Sequence, residues 1–441
     1  MKRFILEQSG EEFYTAHSGL ALVGLCINKY TEMAARVRRV AGSAGNISHA
    51  DVLRSYLGLL CIGKSDFEAV SDRRQDDYFK NALGIGTVPS AETLRQRMNE
   101  QAEPFRRVID SCAVEMIKNA GAPLSALDTG HVPLDMDVFP MDNSDTKKEG
   151  VSRTYHNYNG YAPIAAYLGL EGWCLEVELR PGSQHSQNGF LPFLDRVIAK
   201  ARTLTAKQLL VRLDSAHDAI ETRVALRSYK KVSYVLKWNP RRQDTAAWHA
   251  RAFQEGRVTV PRAGKRVALL TVREHQEHEG ETYIFSRIMR VTERTVDKRG
   301  QFLLTPEIEI EGWWANLDLS EEKVIRLYES HGTSEQFHSE FKSDLDLERL
   351  PSGKFATNSL VMSLAVFAYN ILRFIGQLGL LGDKSPIRHP AKRRRLKTVI
   401  QELIYLAGRL LRTGRRYKLR FGRHCPGFEA FQLVYNRLLT A

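Results

Sequence analysis

The sequence of 441 residues is too long for one ordinary hydrophobic core and predicts several domains. With 43% hydrophobic and 26% charged residues it is typical of a globular protein, which excludes a disordered or fibrous chain. The formal charge of +13 indicates a polyanionic partner, either nucleic acid or an anionic membrane surface.

The positive charge is concentrated near the C-terminus. Between Lys384 and Arg423 the chain carries 14 Lys or Arg against one acid, Glu402, so this stretch accounts for the whole formal charge. Such a stretch binds phosphates without sequence preference and makes the affinity depend strongly on salt. An amphipathic membrane helix is the less favoured alternative. The DNA contacts expected here are Arg393, Arg394, Arg395, Arg415 and Arg416.

The cysteines and one apolar segment bear on the expected cellular location of the protein. The five cysteines lie far apart without a CxxC spacing, which fits reduced thiols in a cytosolic protein, not a disulfide framework or a zinc site. The apolar segment Leu360–Leu381 is long enough to resemble a membrane span, but Arg373 and other polar residues interrupt it. We therefore expect a buried helix, no membrane partner, and a cytoplasmic, nucleoid-associated protein.

The first domain, residues 1–125, reads as helical and is the probable DNA-binding domain. Ser48 precedes one run of apolar residues at helical spacing, and Ser90 begins another. The opening turn of the second helix presents Arg95 and Arg97 beside polar residues. A DNA-recognition helix and the solvated face of an ordinary bundle helix both have this pattern.

Strands begin near residue 130, where apolar residues alternate with polar ones in HVPLDMDVFP. Strands follow in YAPIAAYLGL and WCLEVELRPG, then a helix, the strand QLLVRLDS, a second helix and the strand VSYVLKW. This order predicts an α/β fold, a mixed sheet flanked by helices, with its first part at 126–238.

Three further regions complete the predicted organisation. Residues 239–314 are rich in strand patterns and form a β-rich insertion, in which Trp313 and Trp314 either fill the core or stack on an extruded base. Residues 315–381 are helical and return to the core. Residues 382–441 form a basic, helical C-terminal region, because apolar residues recur at helical spacing from Leu396 to Leu410.

Acidic residues mark the ends of two predicted strands. Asp135 and Asp137 lie on one face of the first strand, and Asp214 ends another. Grouped carboxylates are costly unless a cation compensates them, and hard divalent ions such as Mg²⁺ prefer oxygen ligands. Solvent-facing strand acids are the simpler alternative.

A third acid lies in the segment YESHGTSEQFHSEFK. Here Tyr328, His331, Glu335 and Lys342 follow at separations of three, four and seven residues. On a helix, Glu335 and Lys342 share one face, so a carboxylate would face the site with a cation two turns away for a phosphate. A surface helix stabilised by mixed charges is the alternative.

This segment resembles the signature Tyr-x2-Arg-x3-Glu-x6-Lys of bacterial insertion-sequence DDE transposases. Tyr328, Glu335 and Lys342 match it in register, while His331 replaces the usual Arg. Upstream, LDMD and VRLDSAHD resemble the strands that carry the first and second acids, and the resemblance spans about residues 130 to 380. The β insertion between the second and third acids is also a feature of that branch.

The resemblance implies an RNase H-like core in which Asp137, Asp214 and Glu335 hold two Mg²⁺ ions, with Mn²⁺ as a substitute. Asp135 is the alternative first acid. Tyr328, Lys342 and His331 would position the scissile strand. The implied partners are terminal inverted repeats and target DNA, with a homodimer by analogy. Two alternatives remain, an RNase H-like nuclease without strand transfer and an inactive, transposase-derived DNA-binding protein.

Overall fold

The computed structural model describes residues 14–42, 45–241, 243–297, 299–330, 334–414 and 416–440. Its N-terminal part is helical after a short strand, β1, as the sequence predicts. The Ser48 and Ser90 side chains accept hydrogen bonds from the backbone N–H groups of Asp51 and Thr93, which satisfies donors at the start of two helices. The elements are β1 (Tyr14–Thr15), α1 (Leu20–Tyr30), α2 (Met33–Ala41), α3 (His49–Cys61), a 3₁₀ turn (Phe67–Arg73), α4 (Asp77–Leu83), α5 (Ala91–Glu100) and α6 (Ala102–Asn119).

Strands and helices then alternate as predicted. Three strands are followed by helix, strand, helix and strand, and a small separate sheet is formed by β3, β4 and β5. The elements are β2 (Val132–Val138), β3 (Met141–Asp142), β4 (Ser152–Arg153), β5 (Asn159–Tyr161), β6 (Ile164–Leu168), β7 (Trp173–Glu178), α7 (Phe190–Leu204), β8 (Leu209–Leu213), α8 (Ile220–Ser228) and β9 (Val232–Lys237).

The β-rich stretch that follows extends the same sheet. Its last strand pairs antiparallel with β9, with Trp313 opposite Lys237. The large sheet of the described residues therefore has the order β10-β11-β12-β13-β9-β8-β2-β6-β7, in which β2, β8 and β9 run parallel. The additional elements are α9 (Thr245–Glu255), β10 (Arg257–Arg262), β11 (Lys265–His278), β12 (Glu281–Val296) and β13 (Phe302–Ala315).

Helices cover both faces of the sheet. Leu134 and Met136 of β2 pack with α7 on one side, where Phe193 is fully buried. On the other side, Leu210 of β8 packs with Leu327 of a later helix. The later elements are α10 (Glu321–Glu329), α11 (Ser334–Ser339), a π-helical turn (Glu340–Asp344), α12 (Phe355–Gly379), α13 (Leu396–Val399), a second π-helical turn (Ile400–Ile404), β14 (Gly408–Thr413), β15 (Arg416–Phe421) and α14 (Phe428–Thr440).

Helix α12 is the apolar segment noted in the sequence. Among the described residues it is the one helix long and apolar enough to cross a membrane, and 94% of its most apolar window is buried inside the protein. Its Asn370 side chain bonds both the N–H and the C=O of Cys174 in β7. Arg373 pairs with the buried Glu340. The helix is therefore the core element that the sequence favours.

The C-terminal region departs from the prediction of a helical segment. Residues 408–421 form the hairpin β14–β15, which pairs with β1 into a three-stranded sheet. Apolar and basic residues alternate along β15, so Leu419 and Phe421 pack on the core while Lys418 and Arg420 stay exposed. Gly414, at φ +58°, lies between the strands. The apolar stripe is helical from Leu396 to Ile404, in α13 and the second π-helical turn, and the two-residue period of the hairpin begins after it.

Candidate active site

Asp137 and Asp214 lie side by side at the carboxyl ends of parallel strands. Met136 pairs with Leu213, so the next residue on each strand is one of the two aspartates. Neighbouring strands are about 4.8 Å apart, and residues at matching positions point to the same face. That face is opposite the one where Met136 and Leu213 pack in the core.

The two aspartates open into a cavity of about 590 Å³. Glu335 of α11 lines the same cavity, together with Tyr328 of α10 and Lys342 of the first π-helical turn. The structure therefore brings together all three predicted acids and two of the three predicted strand-positioning residues. The third, His331, lies outside the described residues. The remaining lining residues are Val138, Phe139, Pro140, Tyr155, His156, Tyr158, His338, Ser339 and Ser343.

Backbone and histidine groups orient Asp137. Its Oδ1 accepts a hydrogen bond from the N–H of Val138 at 2.8 Å, and its Oδ2 lies 4.0 Å from Nδ1 of His338. The His338 ring stacks on Phe139, with centroids 4.6 Å apart and 14° between the planes. The stacked rings fix the side of the cavity next to the first acid. The signal for His338 in the sequence is its position three residues after Glu335.

Asp214 precedes a 3₁₀ turn, Ser215–His217, and the histidine at the end of this turn contacts the Asp214 carboxylate. Its Oδ1 accepts from the N–H of Ala216 at 3.2 Å and from Nδ1 of His217 at 2.7 Å. His217 is fully buried and packs against Phe190, with centroids 4.3 Å apart. A carboxylate only accepts hydrogen bonds, so Nδ1 carries the proton and the imidazole orients the acid. This histidine is not among the site residues expected from the sequence, where its signal is its position three residues after Asp214.

Tyr328 and Lys342 precede and follow Glu335 in the chain, and both line the cavity. Burial and the nearby Asp214 and Asp137 carboxylates raise the pKa of Tyr328, so its hydroxyl remains protonated at neutral pH. The Nζ of Lys342 is 3.5 Å from Glu348. A neutral hydroxyl and an ammonium group beside three carboxylates are suited to contacting a phosphate.

The donor set fits hard divalent ions. Asp137, Asp214 and Glu335 offer carboxylate oxygens, the ligands that Mg²⁺ prefers. The Asp214 side chain is 40% exposed to the cavity and that of Asp137 23%. Within the described part of the chain, no three His, Cys, Asp or Glu side chains are close enough together to hold a metal ion. The three acids therefore line one cavity, but as described they are not close enough together to coordinate the same metal ion.

Asp135, the alternative first acid, has another partner. It is 4% exposed, and both of its oxygens accept hydrogen bonds from Arg212 at 2.6 Å. Arg212 also donates to the C=O of Leu327 and to Oγ of Ser330, at the end of α10. Asp135 is absent from the lining of the described cavity. The geometry places Asp137, and not Asp135, where the first acid is expected.

Three of the predicted DNA contacts have hydrogen-bond or ion-pair partners within the protein. Arg394 is 6% exposed and donates to the carbonyls of Leu380, Ile387 and His389. Its neighbours also have partners within the protein. Arg393 donates to the C=O of Leu170, and Arg395 pairs with Asp344. In sequence, a run of arginines is typical of a phosphate-binding surface, but here backbone carbonyls and a carboxylate accept hydrogen bonds from it.

The other predicted contacts differ in their exposure. Arg95 pairs with Glu68 and Glu92, Arg97 is partly buried on α5, and Arg416 is exposed on β15, while Arg415 lies outside the described residues. Trp313 and Trp314 are buried, so they fill the core as the sequence favours and do not face a DNA base.

A family model matches almost the whole chain. The model of the family described as "Transposase DDE domain group 1" matches residues 6–441. No curated protein matches the chain. One similar solved structure is the piggyBac transposase in a synaptic complex with hairpin DNA, at 12% identity and a TM-score of 0.36, covering 89% of this chain and 80% of that one. The family match spans almost the whole sequence, and the chain belongs to the DDE transposases of group 1.

Proposed function

We propose that this protein cuts DNA at the ends of an insertion sequence and joins those ends to target DNA. The observation that carries the proposal is the placement of Asp137 and Asp214 side by side on parallel strands, in one cavity with Glu335. The family match supports a transposase function.

We assign the core to an RNase H-like fold. The order β7-β6-β2-β8-β9 has three antiparallel strands followed by two parallel ones, with Asp137 on the central strand β2. This arrangement supports the assignment, because it places the first acid at the centre of the core and the second on its parallel neighbour. Strands β10–β13 are then an insertion that enlarges the same sheet.

In the proposed mechanism, Asp137, Asp214 and Glu335 would hold two divalent ions, Mg²⁺ or Mn²⁺. Bound there, such ions activate a water or a 3′-hydroxyl and stabilise the leaving oxygen. His217 holds the Asp214 carboxylate in one orientation, and His338 flanks Asp137. Lys342 and Tyr328 position the phosphate. His331, for which the family motif has Arg, would supply a weaker contact.

The partners follow from the same proposal. Terminal inverted repeats and target DNA are the substrates, and a homodimer that holds two ends is expected by analogy. The exposed charges of the β14–β15 hairpin, among them Arg416, Lys418 and Arg420, are suited to the DNA backbone. A cytoplasmic, nucleoid-associated location is part of the proposal.

The test is the reaction of the purified protein, with Mg²⁺, on DNA carrying the inverted repeats that flank its coding sequence. Cleavage with strand transfer is the expected result. Nicking without joining would instead favour a nuclease, and a gel shift without chemistry would favour an inactive DNA-binding descendant. Glu277→Gln, which removes one negative charge on β11 outside the cavity lining, is the matched control and should leave the reaction unchanged.

A further inference from the structure

A tight turn between β4 and β5 carries three aromatic side chains, Tyr155, His156 and Tyr158. We call them the aromatic turn. The turn is held by its own backbone, since the N–H of Thr154 donates to the C=O of Tyr158 at 2.8 Å and the N–H of Asn157 donates to the C=O of Thr154 at 3.0 Å. The rings are therefore presented on a fixed support.

The aromatic turn is open to solvent. Tyr155 is 62% exposed and His156 is exposed as well. The rings lie near one another: the centroids of Tyr155 and His156 are 4.5 Å apart, and His156 and Tyr158 are stacked with 19° between their planes. Rings exposed to this degree contribute little to a hydrophobic core, because most of their surface remains in water.

The aromatic turn faces the acids. All three of its rings line the same cavity as Asp137 and Asp214. The hydroxyl of Tyr155 donates to the C=O of Val138, the residue directly after Asp137, at 3.3 Å. Burial of the hydroxyl and the charges of Asp137 and Asp214 raise the pKa of Tyr155, which keeps the hydroxyl protonated. The hydroxyl end is fixed beside the first acid while the ring stays accessible.

We propose that the aromatic turn stacks on an unpaired base of the DNA strand whose phosphate lies at the acids. The inference rests on the proposed function, since it takes DNA as the substrate of this cavity. A nucleotide carries a phosphate and a flat aromatic base. The cavity has groups suited to each, since Lys342 and Tyr328 can contact the phosphate and the aromatic turn can stack on the base. Stacking accepts any base, so this site adds affinity for an unpaired nucleotide without reading its sequence.

The experiment compares binding of a single-stranded 15-mer that contains 2-aminopurine with binding of the blunt duplex of the same sequence. Ca²⁺ replaces Mg²⁺, and both affinity and fluorescence quenching are measured. Tyr155→Ala and His156→Ala are expected to weaken single-strand binding about fivefold or more and to reduce the quenching, while duplex binding stays unchanged. Tyr155→Trp is expected to retain both properties.

Phe302→Ala is the matched control, since Phe302 is 82% exposed on β13 and is outside the cavity lining. Equal single-strand affinity and quenching in wild type, Tyr155→Ala and His156→Ala would overturn the stacking site, and so would an equal loss in Phe302→Ala. The two proposals fail separately. If the wild type cleaves its inverted repeats but single-strand binding and quenching are the same in Tyr155→Ala as in the wild type, only the stacking site is wrong. If cleavage is absent but single-strand binding depends on Tyr155, only the proposed function is wrong.

Discussion

Arg212 and Asp135 face each other across the parallel strands β8 and β2 and join through two hydrogen bonds of 2.6 Å. The same guanidinium reaches the C=O of Leu327 at 2.8 Å, where α10 approaches its end. One arginine thus ties the strands that carry the first two acids to the helix that precedes Glu335. We interpret Asp135 as the support of that arginine.

Replacing Arg212 by Met should destabilise the fold by about 3–5 kcal/mol, because it leaves the buried Asp135 carboxylate without its partner. Denaturant unfolding measures the change. The double variant Asp135→Leu/Arg212→Met should recover part of the loss, since no charge then remains buried. Arg251→Met, which removes an exposed ion pair with Glu255, is the control and should change stability by at most about 0.5 kcal/mol. A loss in Arg212→Met as small as the control's would contradict the buried pair.

Asp214→Asn and Glu335→Gln should abolish cleavage while DNA binding stays nearly intact. Each change removes a charged carboxylate of the proposed metal site but alters neither the side-chain volume nor the basic surface. Cleavage assays and gel shifts on the same DNA measure the two properties. The loss should exceed the roughly 10–100-fold seen when a group only supports a ligand. Equal loss of binding and cleavage would contradict the assigned roles.

His217→Ala should lower cleavage by roughly 10–100-fold, because the Asp214 carboxylate loses the donor that orients it. If His217 acts through Asp214, the variant should need a higher Mg²⁺ concentration for half-maximal activity. A change that only destabilises the fold would lower activity at every Mg²⁺ concentration alike. His275→Ala, on the exposed part of β11, is the control and should keep the wild-type Mg²⁺ dependence. An unchanged dependence in His217→Ala would contradict the positioning role.

Combined replacement of Arg416, Lys418 and Arg420 by Ala should weaken DNA binding and flatten its dependence on salt. Each lost phosphate contact reduces the slope of log K against log salt concentration by about 0.9. Binding measured at several salt concentrations gives the slope. Arg394→Ala should behave in the opposite way, with lower stability because three carbonyls lose their donor, but with the wild-type slope. If the salt slope were reduced in Arg394→Ala but not in the triple variant, Arg394 would be the DNA contact and the hairpin residues would not.

Much of the site can be predicted from the sequence because its acids lie on elements with clear patterns. The strand alternation around Asp137, the strand end at Asp214 and the helical spacing from Glu335 to Lys342 are local signals, and the structure brings them to one cavity. The resemblance to the transposase signature added the expectation that these separate segments would converge.

Other features depend on contacts between distant residues and could not be predicted. Asp135 and Asp137 both fit the sequence pattern, and Asp137 is favoured there because it lies nearer the strand's end. That Arg212 pairs with Asp135 depends on the pairing of β2 with β8 and could not be predicted. The arginines at 393–395 look like a surface until the carbonyls that accept their hydrogen bonds are known. The aromatic turn carries no periodic pattern, so its exposure beside the acids appears only in three dimensions.

The packing of α1 on α14 affects how the chain folds while it is being synthesised. The Nζ of Lys29 donates to the C=O of Leu438 at 2.8 Å, a residue 409 positions later, and β1 pairs with β14 beside it. Helix α1 cannot complete its packing until Leu438 and the rest of α14 have emerged from the ribosome. Contacts between such distant residues slow folding, because the loop entropy is lost before they form. A truncated translation product would therefore expose the apolar side of α1 and be a substrate for proteolysis.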